Sequence, residues 1–135
     1  IKRMIEQIKF FKDFNIDGLV FGVLDMNRKI DIDKLKLLVN AAEGLDITFH
    51  KAIDQVSILF DELEVLKNFS QISSILTSGC SDSALKGKDT IIKIIDNYSK
   101  YFNIIVAGKI TNHNFLEIHR LVGANEYHGR KIVDS

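Results

Sequence analysis

Apolar positions along this 135-residue chain alternate between two spacings from end to end. Ile1, Met4, Ile5, Ile8 and Phe11 recur at helical intervals, so the chain opens inside an amphipathic helix. Gly18-Leu19-Val20-Phe21-Gly22-Val23-Leu24 follows as a continuous apolar run, the signature of a buried strand. Asp31 or Asp33 is placed to cap a second helix through Leu35, Leu38, Val39 and Ala42, which Gly44 stops. Ile47–His50 reads as the next strand, and Val56, Leu59, Phe60, Leu63 and Leu66 mark a third helical face. Ser74–Thr77 is a strand ending at Ser78-Gly79. Ile91, Ile94, Ile95 and Tyr98 define a fourth helix after the break at Lys86-Gly87-Lys88. Asn103–Ala107 is a strand, and Phe115, Ile118, His119 and Val122 a fifth helix, capped by Thr111 or Asn112. Glu126-Tyr127-His128 closes the series as a short strand.

Helix and strand thus alternate through five units of βα length. Strands that are apolar throughout, rather than on alternate residues, belong in a parallel sheet covered on its faces. The predicted class is α/β, five parallel strands alternating with helices. An open doubly wound sheet and part of a (β/α) barrel both fit that pattern, and five units are too few to close an eight-stranded barrel. Prolines, Gly/Ser linkers and low-complexity tracts are absent, so residues 1–135 read as one domain.

Composition removes several classes of function. Lys+Arg and Asp+Glu number 18 each and are interspersed, so no basic face for nucleic acid or for a membrane surface emerges. No stretch approaches the roughly 18 consecutive apolar residues of a membrane span. The single cysteine, Cys80, rules out an intrachain disulfide and fits a reducing cytoplasm.

Candidate chemistry gathers where apolar runs end, because in parallel α/β folds the loops after the strands converge over the sheet. His50, Lys51 and Asp54 follow the second strand. His50 is a candidate acid or base near neutral pH, Asp54 its orienting carboxylate and Lys51 a holder of substrate charge. The opposing interpretation makes Lys51 and Asp54 a solvated pair and His50 a satisfied interior histidine. Glu126 and His128 alternate onto one face of the last strand and join the catalytic candidates. Ser78-Gly79 and the small residues after them suit close approach of an anion, although Ser81, Asp82 or Ser83 as a helix cap is the plainer reading. Gly108, Lys109 and Thr111 on one loop, with Gly129 and Arg130 on another, form a second possible anion site. For a metal, His50, His128 and Cys80 are the available candidates. Cys80, Met4 and Met26 have no CxxC or MxxM spacing, so a soft-metal site built wholly from these residues is not expected.

Four strand-end motifs occur in order: Asp17-Gly18-Leu19-Val20-Phe21-Gly22-Val23-Leu24, Thr48-Phe49-His50-Lys51-Ala52-Ile53-Asp54, Ile75-Leu76-Thr77-Ser78-Gly79 and Glu126-Tyr127-His128-Gly129. Together they resemble the CutC family of copper homeostasis proteins. The resemblance implies a TIM-barrel fold, a role in copper homeostasis and copper as a possible ligand. It also implies that residues 1–135 are a single partial barrel domain, the C-terminal five-eighths, without three preceding βα units. Two departures stand out. Lys51 replaces the family's arginine and loses its planar fork. Ala107-Gly108-Lys109-Ile110 stands where the family has Gly-Gly-Gly-Ile.

The expected ligand is a small molecule or a copper ion, with no nucleic acid and no membrane. Open edges at Leu19–Leu24 and Glu126–His128 would favour self-association, and hence a homo-oligomer. The alternatives are a barrel enzyme for a small phosphate or carboxylate substrate, and a non-catalytic portion that folds with a partner.

Overall fold

The computed structural model describes residues 1–14, 16 and 18–129. Among these residues five α-helices and five strands alternate as the periodicities predict. They run α1 (Lys2–Lys12), β1 (Gly18–Phe21), α2 (Ile32–Ala41), β2 (Asp46–Phe49), α3 (Leu59–Leu66), β3 (Ile72–Thr77), α4 (Lys88–Tyr98), β4 (Asn103–Val106), α5 (Phe115–Val122) and β5 (Glu126–Tyr127). A 3-10 turn, Lys51–Gln55, which the periodicities do not predict, lies between β2 and α3. The chain divides into two compact units, Ile1–Ser73 and Ser74–Ser135. Among the described residues no helix is long and apolar enough to cross a membrane.

In the first unit β1 and β2 run parallel in the register Gly18↔Asp46 to Phe21↔Phe49. α2 starts as predicted, with the Lys34 N–H donating to the Asp31 side chain at 3.2 Å. Its inward face places Leu35, Leu38 and Ala42 in full burial, with Ile47, Phe49, Ile53, Leu63 and Leu66 equally buried in the same unit. The predicted first strand is longer than the observed one. After Phe21 the chain leaves the ladder and folds back, with an isolated antiparallel bridge between Leu24 and Ile30. Asp25 causes this. Its Oδ1 accepts the N–H groups of Asn27 at 2.8 Å and Lys29 at 3.1 Å, so a turn satisfies backbone that a strand would have paired. Glu62, only 7% exposed on α3, then accepts the Ile30 N–H at 2.6 Å and fixes the returning arm.

In the second unit β3, β4 and β5 are parallel neighbours, with Ser74↔Asn103 to Thr77↔Val106 and Ile105↔Glu126, Val106↔Tyr127 in register. Ala84, Ile91, Val106, Ile110, Ile118, Val122 and Ala124 form its core. α5 stops at Gly123, whose φ of 64° supplies the left-handed turn that ends many helices.

The predicted caps of α4 and α5 act on the turns that lead into these helices rather than at the helix starts: Ser83 Oγ accepts the Lys86 N–H at 3.2 Å and Thr111 Oγ1 accepts the His113 N–H at 3.2 Å. α4 begins at Gly87 with no side-chain cap, rather than at Ser81, Asp82 or Ser83. A Cβ on Gly87 would collide with the Ser78 carbonyl, so a close backbone crossing sets this helix start. α5 begins at Asn114, not at Thr111 or Asn112, and Asn114 uses its side chain backwards. Its Oδ1 accepts the Thr111 N–H at 2.8 Å and its Nδ2 donates to the Lys109 carbonyl at 2.9 Å.

Candidate functional site

In the first unit His50, Lys51 and Asp54 sit where expected, directly after β2, and all three are half-buried. The His50 N–H donates to the Phe21 carbonyl at 3.1 Å, extending the β1–β2 ladder by one bond. Its ring then turns onto the 3-10 segment, where Nδ1 accepts the Ala52 N–H at 2.9 Å. Nδ1 is therefore an acceptor, and the proton of the neutral ring resides on Nε2. To ligate a metal or take a proton through Nε2, the ring would need its hydrogen on Nδ1, which would break the Ala52 bond. The ring also lies on Gly22, where a Cβ would come within 3.0 Å of Cε1 and 3.2 Å of Nδ1. Gly22 thus makes room for an imidazole that caps the following turn.

In the second unit Ser78, Gly79 and Cys80 follow β3, Gly108 and Lys109 follow β4, and His128 and Gly129 follow β5. Parallel register puts all of these at one end of the three strands. Glu126 does not join them. At the start of β5 its carboxylate accepts the Asn103 amide at 2.9 Å, and Asn103 begins β4, so this side chain serves the opposite end. Arg130 lies outside the described residues.

Close backbone contacts interlock the loops after β3 and β4. The Ala84 N–H donates to the Gly108 carbonyl at 2.9 Å, and the Ala107 N–H donates to the Thr77 carbonyl at 2.9 Å. A Cβ on Gly108 would meet Ser78 Cβ at 2.8 Å and the Ala84 nitrogen at 2.9 Å, and φ there is +109°. Donors predicted to face an anion are partly used inside this framework. The Gly79 N–H donates to Thr77 Oγ1 at 3.0 Å, and the fully buried Ser78 hydroxyl donates to the Ser81 carbonyl at 2.6 Å. Cys80 is exposed, with a left-handed φ of 61°.

The charges on these loops point outward and converge. Asp82 lies 3.5 Å from the Lys86 ammonium and 3.7 Å from that of Lys109. Lys86 first, and then Lys109, hold the Asp82 carboxyl below the ordinary carboxylate range. Lys109 takes part from a left-handed backbone, φ 55°, that L residues seldom adopt.

Sequence reasoning named Lys109 but missed Asp82 as its partner. The Asp82–Lys86 spacing of four residues was a visible signal, whereas Lys109 is reached only through the fold. It also missed Tyr127. The Tyr127 hydroxyl accepts the Ala124 N–H at 3.0 Å and lies 2.6 Å from His119 Nδ1, tying β5 to α5, and burial pushes this phenol upward. Among the described residues no group of three or more His, Cys, Asp or Glu is placed to hold a metal ion.

Comparison with known proteins supplies the context. The CutC family profile matches residues 1–133. A CutC family protein of Treponema denticola is 36% identical over 129 residues, spanning 94% of this chain and 51% of that protein. The human copper homeostasis protein cutC homolog is 34% identical over 128 residues, spanning 95% of this chain and 46% of its own length. The crystal structure of a CutC from Streptococcus agalactiae superposes with a TM-score of 0.88 at 26% identity, covering 96% of this chain and 63% of that one. The chain spans about half the length of the curated relatives it matches.

Proposed function

The chain belongs to the CutC family, and from that premise we propose that it serves in copper homeostasis as part of a (β/α) barrel. The observation that carries this reading is the likeness to the mouse and human copper homeostasis protein cutC homologs, at 35% and 34% identity, across 95% of the chain. Copper here is cargo to be handled, and the local chemistry limits what these residues do with it. Cu(I) prefers thiolate and thioether, and the chain offers one cysteine and two methionines. His50 has Nδ1 committed to the Ala52 N–H. The donor set does not fit a self-contained Cu(I) site. The role of this region is to supply barrel strands and the loops that follow them. A cytoplasmic setting fits the single cysteine, and association through the apolar β1 edge, where Val20 is 63% exposed, fits a homo-oligomer.

Deleting the gene in its host and growing the strain across a copper series tests the role. The expected result is altered copper tolerance, restored by the intact gene. Unchanged tolerance and unchanged cellular copper would overturn it. A Cu(I) titration of the chain against a competing chelator addresses the site. Binding no tighter than that of an unrelated one-cysteine protein is expected, and tight one-to-one binding lost in Cys80→Ala would refute the donor argument.

A further inference from the structure

We propose that the interlocked loops after β3 and β4 form an anion clamp, in which Lys86 and Lys109 receive a phosphate-type dianion and Asp82 is the internal ligand that it displaces. This goes beyond the copper reading and does not depend on it.

Two ammonium groups from different loops converge on one carboxylate, at 3.5 Å and 3.7 Å. Their combined charge of two exceeds that of Asp82 by one, so the cluster as a whole attracts a further negative charge. A phosphate ester carries about −1.5 to −2 charge near pH 7 and matches two lysines better than one carboxylate does. The lysines are well exposed, at 72% and 70%, so an incoming anion reaches them without rearranging the core.

What separates this arrangement from an ordinary surface pair is how the backbone of the second lysine is held. Lys109 occupies a left-handed backbone conformation that glycine would adopt without strain. The Asn114 side chain grips its carbonyl at 2.9 Å, and on its other side Gly108 wedges against Ser78 and Ala84. The chain therefore tolerates a strained residue at the position from which an ammonium meets Asp82. Residues held in strained backbone cluster at active sites and ligand clamps. Ser81 and Ser83, half-buried on the same loop, are hydroxyl-bearing neighbours of Asp82 in sequence.

The test is a titration of the full chain with inorganic phosphate at constant ionic strength, chloride making up the balance. Amide shifts of Gly79, Lys86, Gly108 and Lys109 are the readout. Saturable shifts confined to these loops are expected. Asp82→Asn should tighten phosphate roughly two- to fivefold, the range that one exposed charge pair is worth. Lys109→Gly should weaken it by at least as much while the melting temperature holds or rises, because glycine relieves the backbone. Lys36→Gln, a surface change in the first unit, should leave the titration unchanged. Linear, unsaturable shifts would overturn the proposal. So would equal affinity in Asp82→Asn, or full retention of binding in Lys109→Gly.

Discussion

The segment after β2 and the loops after β3 and β4 occupy equivalent places in βα units, yet they use their polar side chains in opposite ways. After β2, the imidazole of His50 is turned onto its own backbone, where it accepts the Ala52 N–H and packs on Gly22. After β3 and β4, the backbone is secured by glycine contacts, main-chain bonds and the neutral side chains of Thr77, Ser78 and Asn114, which leaves the charged side chains of Asp82, Lys86 and Lys109 paired with one another at the surface. A side chain that satisfies backbone is not available for a ligand. Where glycine contacts and neutral side chains hold the backbone, the charged side chains are left to one another. The contrast makes the second unit's loops the better place to look for ligand chemistry, even though the first unit carries the more suggestive motif.

The sharpest way to break this comparison is to fill the glycine crossing. Gly108→Ala forces a Cβ against Ser78 and Ala84 at a φ of +109°. A loss of about 3 kcal/mol is expected from overpacking and backbone strain together, read as a shift in denaturant midpoint. A neutral outcome would mean that the loops are not interlocked.

Next in size is Glu62→Leu. This change leaves the Ile30 N–H without its 2.6 Å acceptor inside the first unit. A loss of about 1–3 kcal/mol is expected, with the returning arm after β1 gaining fast amide exchange. Glu62→Gln keeps an acceptor and should restore most of the stability. Equal losses in the two variants would show that the charge, rather than the hydrogen bond, matters.

His50→Ala should cost about 0.5–2 kcal/mol, the worth of a helix-start cap, and His50→Asn should recover most of it by offering another acceptor to the Ala52 N–H. That pairing tests the first half of the comparison directly. If His50→Ala were as stable as the parent, the imidazole would not be spent on structure, and its candidacy as an acid or base would revive.

The smallest effect concerns acid stability. The folded Asp82 carboxyl titrates below its ordinary value, so its stabilising contribution is complete above that ordinary value and is lost as pH falls through the lowered one. Thermal melts between neutral and acidic pH should therefore show a slightly shallower acid decline for Asp82→Asn than for the parent. Because Asp82 is exposed, salt should erase this difference.

Helix positions and strand order were legible because burial repeats at the period of the element. Leu35, Leu38 and Val39 repeat at helical spacing, and Ile104, Ile105 and Val106 run together as in a covered parallel strand. Legibility ended at turns. The apolar run continues through Leu24, but Asp25 takes two backbone N–H groups and bends the chain. Asn114 looked like an interior residue of a capped segment, yet it supports both Lys109 and Thr111. For the candidate residues, position after a strand was readable, while availability was not. His50 and Lys109 look equally promising in sequence and differ only in which groups the fold sets against them.

Sequence alone determined the α/β alternation, the family and the absence of an intrachain disulfide, because periodicity, ordered motifs and a cysteine count are properties of the chain as written. Tertiary structure alone decided that Glu126 serves Asn103 at the far end of the strands. It also decided that Gly87 rather than a serine starts α4, and that Lys109 meets Asp82. Each of these depends on contacts within about 4 Å between residues remote in the chain, and such contacts leave no local pattern because they are selected by packing as a whole.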